Sequence, residues 1–163
     1  MEKLEILLLA SVIGIGATIV MDIYGALLMR IFAIARLDYA LLGRWVGHFL
    51  KGKVSHNGIA RSAPIARETI LGWLVHYVTG VVFVFLFLVY QGKAWVYNPD
   101  LWSVLAFGAL TTVFPYFIMQ PCFGMGIAAS KLPNPQKARV KTLATHLVFG
   151  AGMYFSTIAL TSF

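Results

Sequence analysis

Five side chains could do chemistry in this otherwise apolar chain: Asp22, Glu68, His76, Gln120 and His146. A carboxylate and two imidazoles can relay protons, because histidine titrates near neutral pH. Carboxylate, imidazole and amide groups can also hold a polar ligand. Two histidines on different helices can ligate a haem iron from opposite faces. Gly72 and Gly80 stand four residues either side of His76, and Gly150 stands four after His146. A porphyrin would need such small residues beside its ligands. A carboxylate at the centre of a bilayer costs about 3 kcal/mol on insertion scales, so polar groups there are functional candidates by default. The plainer alternatives are interhelical hydrogen bonds for the histidines, about 0.6 kcal/mol each on average, an ion pair of Asp22 with His76, His146 or Arg30, and a solvated helix start for Glu68 beside Arg67. His48 and His56 fall in a loop and read as surface residues. Cys122 reads as a buried hydrophobe.

These residues sit in four long apolar blocks. Of the 163 residues, 60% are hydrophobic and 12% charged, about half the usual share of charge. The blocks predict crossings at about 6–33, 69–90, 101–129 and 142–162, each long enough to cover the roughly 30 Å of hydrocarbon. Lipid offers the backbone no hydrogen-bond partners, so each must be a helix. The predicted fold class is all-α: an integral membrane four-helix bundle in a single transmembrane domain. Leu41, Leu42, Trp45, Val46, Phe49 and Leu50 fall at helical spacing among Arg44, His48 and Lys51. That predicts an interfacial helix over about 40–51, with Trp45 and Phe49 toward lipid.

Eleven of the thirteen basic residues lie in the loops between blocks one and two and between blocks three and four or in their flanks, Arg30 included; only Lys3 and Lys93 lie on the other side. The positive-inside rule then puts both loops in the cytoplasm and both termini in the periplasm. Trp95, Tyr97 and Trp102 read as interfacial aromatics of the outer loop. Met1-Glu2-Lys3-Leu4-Glu5 lacks a basic leader region, so no cleavable signal is expected. A net charge of +7 is explained by orientation rather than by nucleic acid. The single cysteine excludes an intrachain disulfide and a thiolate metal cluster.

At about 1.5 Å per residue, Asp22, His76 and Gln120 lie about 12–13 Å from the cytoplasmic ends of their helices and His146 about 7 Å. One buried cluster, reached by water from the cytoplasm, is the cheapest arrangement of such groups. Pro115 and Pro121 in block three each remove a helix hydrogen bond, so a kinked or broken helix is expected there. His76-Tyr77-Val78-Thr79-Gly80 and His146-Leu147-Val148-Phe149-Gly150 share His-x-Val-x-Gly. The match suggests two hairpins related by an axis along the membrane normal, one form that transporter folds take.

Met21-Asp22, Gly43-Arg44-Trp45, Gly47-His48, His56, Glu68, Gly72-Trp73, His76-Tyr77, Gln120-Pro121 and Thr145-His146 with Phe149-Gly150 together resemble a bacterial family of four-span inner-membrane proteins defined as a domain of unknown function. The resemblance spans nearly the whole chain. It implies the topology and the bacterial inner membrane, and no activity.

Three functions remain open. One is a small transporter or membrane ligand-binding protein, with Asp22, His76, Gln120, His146 and Glu68 as ligand-binding or proton-relay residues. Arg44, Arg61 and Arg67 would contact an anionic lipid or small anion at the inner surface, and four spans would call for a homo-oligomer. The second is a haem protein ligated by His76 and His146; otherwise no cofactor is expected. The third is a non-catalytic subunit of a membrane assembly. No phosphate-binding glycine loop, HExxH or GxSxG is present, so the sequence leans away from an enzyme and names no catalytic residue.

Overall fold

The computed structural model describes residues 2–162, with side chains from Leu4 onward. Met1, Phe163 and the Lys3 side chain, on which the predicted location of the ends partly rests, lie outside it. The helices are α1 (Glu2–Phe32), α2 (Tyr39–Phe49), α3 (Glu68–Gln91), α4 (Leu101–Thr111), the single turn α5 (Gln120–Cys122) and α6 (Pro135–Thr161). A π-helical turn, Pro115–Met119, separates α4 from α5. No strand occurs among the described residues. Leu4–Phe32, Glu68–Gln91, Leu101–Cys122 and Pro135–Thr161 are long and apolar enough to cross a membrane. The chain is an all-α, multi-pass membrane protein.

Two boundaries differ from the sequence reading. The third span stops being helical at Cys122, not Ala129. Gly124, Gly126, Ala128 and Ala129 all have positive φ (85°, 75°, 46° and 60°), a conformation that cannot continue a right-handed helix. The fourth helix starts at Pro135, seven residues early. Proline is well suited to the first helical position, where no N–H is needed. Lys137, Arg139 and Lys141 therefore stand in the first turns of a helix and not in a loop. Elsewhere capping follows the sequence. The Ala40 amide donates to Asp38 at 2.9 Å to open α2, and the Ser103 amide donates to Asp100 at 2.8 Å to open α4. The Ser103 hydroxyl, then the Ser103 amide, hold the Asp100 carboxyl below its ordinary value.

The chain divides into two compact units. The first comprises residues up to 36, 77–111 and those from 144. Its core holds Ala10, Ile13, Ala17, Val84, Leu88, Val104, Phe149 and Met153. The helices approach at glycines. A Cβ on Gly80 would land on the Thr18 hydroxyl, and one on Gly150 on the Val104 carbonyl. The glycine of each His-x-Val-x-Gly segment thus meets an earlier helix, Gly80 at an α1 side chain and Gly150 at the α4 backbone. Trp95 is buried, not interfacial: its indole N–H donates to Asp100 and Ser103, and its ring meets Phe87 edge-on at 4.9 Å. Tyr97 and Trp102 are exposed as expected.

The second unit comprises residues 37–76 and 112–143. Its core is Leu42, Trp45, Ile59 and Phe123. Helix α2 forms where its spacing predicts, but of Trp45 and Phe49 only Phe49 is exposed. Trp45 packs on Phe123 at 5.8 Å and donates its indole N–H to the Val54 carbonyl at 2.7 Å. A lipid-facing and a core-facing stripe have the same spacing, and here the core takes it. The crossing of α2 with the start of α3 is a glycine–glycine contact. A Cβ on Gly43 would fall on the Glu68 carbonyl, and one on Gly72 on the Tyr39 carbonyl. Because backbone cannot yield as a flexible side chain does, Gly72→Ala should destabilise the protein by about 1–3 kcal/mol, read as a lower melting temperature in detergent. Unchanged melting would contradict the crossing.

Candidate functional site

Arg44 projects from α2 into the second unit and every nitrogen of its guanidinium is engaged. Nε donates to Glu68 Oε2 at 2.9 Å and one terminal nitrogen to Oε1 at 2.7 Å. The other terminal nitrogen faces the carbonyls of Ile59, Ala60 and Ser62 at 3.5, 3.1 and 3.1 Å. Both side chains of the pair are largely buried, 13% and 15% exposed. The forked geometry is one that arginine alone supplies. The carboxylate beside it holds Arg44 above its ordinary value. Glu68 is therefore no solvated helix start: it also accepts the Ile65 amide at 3.0 Å. Arg44, read from the sequence as an anion contact, is committed to protein groups. Arg61 and Arg67 are exposed, and Arg61 donates to the Asn57 carbonyl.

The loop after α2 folds onto the interruption of the third span. The His56 amide donates to the Cys122 carbonyl at 2.8 Å and the Ile59 amide to the Phe123 carbonyl at 3.0 Å. Gly124 admits the loop, since a Cβ there would meet Gly58 N at 2.5 Å and His56 O at 2.6 Å. His56 is not a surface residue: it is 5% exposed. Its Nδ1 lies 2.8 Å from the Ser62 hydroxyl, while Nε2 is buried with no hydrogen-bond partner among the described residues. His48 stands edge-on at 5.1 Å, its own Nε2 2.8 Å from the Ala63 carbonyl. Burial, then Lys53, then His48 push the His56 imidazole below its ordinary value, against a weaker pull from the Lys53 carbonyl. Loop apolarity was the available signal, since Ile59 is 1% exposed amid polar neighbours.

Gln120 opens α5 directly after the π turn. Its amide nitrogen reaches the Thr142 hydroxyl at 3.4 Å, a long bond, and its Oε1 is buried with no partner among the described residues. The same region is braced by the Tyr116 hydroxyl, which donates to the Arg139 carbonyl at 2.6 Å, and by Arg139, which donates to the Ala128 carbonyl at 2.8 Å. π turns concentrate at functional positions, and a buried acceptor left unpaired costs about 1–3 kcal/mol.

The other polar groups are each bonded locally. Asp22 accepts from the Tyr77 hydroxyl at 3.1 Å. His146 Nδ1 lies 2.7 Å from the Thr111 hydroxyl, which also donates to the Gly108 carbonyl. His76 Nε2 lies 3.0 Å from the Tyr39 hydroxyl, with the rings stacked at 4.2 Å. Asp22 and His146 belong to the first unit, His76 and Gln120 to the second. Haem ligation needs open space beside the histidines. Gly72, Gly80 and Gly150 instead face the Tyr39 carbonyl, the Thr18 hydroxyl and the Val104 carbonyl. The residues present do not fit a porphyrin there. Tyr39, Tyr77 and Thr111 escaped the sequence reading because membrane hydroxyls carry no insertion penalty large enough to mark them.

Four apolar helical spans define a four-span membrane protein. The model of a family described as "Protein of unknown function (DUF2938)" matches residues 11–160, and the chain belongs to that family. The resemblance drawn from the sequence motifs is borne out to that extent. No curated protein and no solved structure matches the chain.

Removing one partner of a buried charge pair leaves the other uncompensated. Arg44→Ala should therefore destabilise the protein by about 3 kcal/mol, whereas Arg61→Ala and Arg67→Ala should stay within about 0.5 kcal/mol of wild type. Unfolding in detergent measures all three; equal losses would refute the distinct role of Arg44.

Proposed function

We propose that this chain is a ligand-binding protein or small transporter of the bacterial inner membrane, taking a polar ligand at the interrupted third span. The supporting observation is Gln120, whose buried Oε1 lacks a partner at a π turn. A hydrogen-bond donor on the ligand, a hydroxyl or ammonium group, would complete it. Thr142 orients the amide through its nitrogen. Asp22 with Tyr77, and His146 with Thr111, have the chemistry of proton-relay groups. Arg61 and Arg67 remain the exposed cations for an anionic headgroup, Arg44 being engaged. Four spans are few for a transporter, so a homo-oligomer is part of this proposal. The non-catalytic subunit is the competing function, and it predicts no bound ligand.

Native mass spectrometry from nanodiscs of phosphatidylethanolamine, phosphatidylglycerol and cardiolipin tests the site. Wild type should retain a bound species that Gln120→Leu loses, with melting of the variant equal or higher because an unpaired buried acceptor has been removed. Loss of nothing in Gln120→Leu would end the proposal. Its orientation follows from the distribution of lysine and arginine: a reporter fused to the C-terminus should be active only in its periplasmic form, and a cytoplasmic signal would reverse the topology.

A further inference from the structure

The loop 55–62 is tied to the interrupted third span by two backbone hydrogen bonds, from His56 to Cys122 and from Ile59 to Phe123. Between those anchors lies His56, 5% exposed, with one ring nitrogen on Ser62 and the other buried and unpartnered. A neutral imidazole tolerates this, because its second nitrogen can stay a bare lone pair. An imidazolium does not. It must place a second N–H where Nε2 has no hydrogen-bond partner of good geometry among the described residues, and a charge where solvent is excluded.

We propose that this loop is a pH-operated latch on the interrupted third span, released when His56 takes up a proton from the side of the membrane the loop faces. The surroundings reinforce release. From α2, His48 stands at 5.1 Å and adds to the electrostatic cost of a proton on His56. From the segment just before the loop, Lys53 acts as a fixed positive charge, and its carbonyl gives only a weak opposing pull; within the loop, exposed Arg61 donates to the Asn57 carbonyl. From the third span, the facing residues Pro121, Cys122, Phe123, Gly124 and Met125 carry no charged side chain. The nearby carboxylate, Glu68, is held by Arg44.

The sign is fixed by linkage. A histidine lowered in the closed state contributes stability that is complete above its open-state value, about 6.5, and is lost as pH falls through that value toward the closed-state one. Each unit between the two values allows about a tenfold loss of closure. The latch concerns the loop and stands whether or not Gln120 holds a ligand.

Amide hydrogen exchange of the full protein in nanodiscs, corrected for the intrinsic pH dependence, reads it at His56 and Ile59. From about pH 8 to about pH 5.5, spanning histidine titration, wild-type protection should fall several-fold, by at most about tenfold. In His56→Gln it should stay flat, and in His48→Ala the fall should shrink. Should His56→Gln not fold, histidine-ring NMR of the wild type replaces it, and the midpoint of loop opening must follow His56. Constant wild-type protection, an equal fall in His56→Gln, or a midpoint that follows His48 alone would overturn the latch.

Discussion

The forked ion pair of Arg44 with Glu68 is the constraint on which the second unit depends. It can form only because Gly43 and Gly72 let the α2 and α3 backbones touch. That contact brings a guanidinium from the middle of one helix onto the first residue of another. The remaining guanidinium face then gathers three carbonyls of the 59–62 turn. One side chain therefore sets the angle of α2, the start of α3 and the course of the loop. A lysine could not do this, having no planar fork. A buried pair of this kind is weak support for stability in itself, since desolvation offsets the attraction; its consequence is a unique arrangement.

What the loop docks on follows from proline and glycine. Pro115 and Pro121 interrupt the helical ladder, and Gly124 turns the chain back with a positive φ. Because the helix ends at Cys122, the Cys122 and Phe123 carbonyls lack helical partners, and the loop amides of His56 and Ile59 satisfy them. Non-helical backbone at membrane depth is tolerated only where protein or water meets its polar groups. The loop supplies that requirement. Among the described residues, buried atoms of His56 and Gln120 stay unmatched beside it, and these are where binding or switching chemistry has room to act.

The spans were legible because the bilayer demands about twenty apolar residues in a row, and α2 because apolar residues recur at helical spacing. The facing of α2 was not legible: Trp45 satisfies a lipid surface and a protein core equally well in one dimension. Nor was the start of α6, where Pro135 opens the helix seven residues before the apolar block begins. Asp22, His76, Gln120 and His146 stood out by cost alone. Their partners did not, because tyrosine and threonine hydroxyls are ordinary in apolar helices. The burial of His56 depends on a contact with residues more than sixty positions away, which no local pattern encodes.

A double-mutant cycle on Arg44→Met and Glu68→Leu tests the central constraint most directly. If the pair organises the glycine crossing and the turn, each single variant leaves a buried charge or unpaired donors, and the double variant should be more stable than either. The coupling should then be about 2 kcal/mol or more. Losses that add within about 0.5 kcal/mol would mean that the two residues act independently, and would contradict the account.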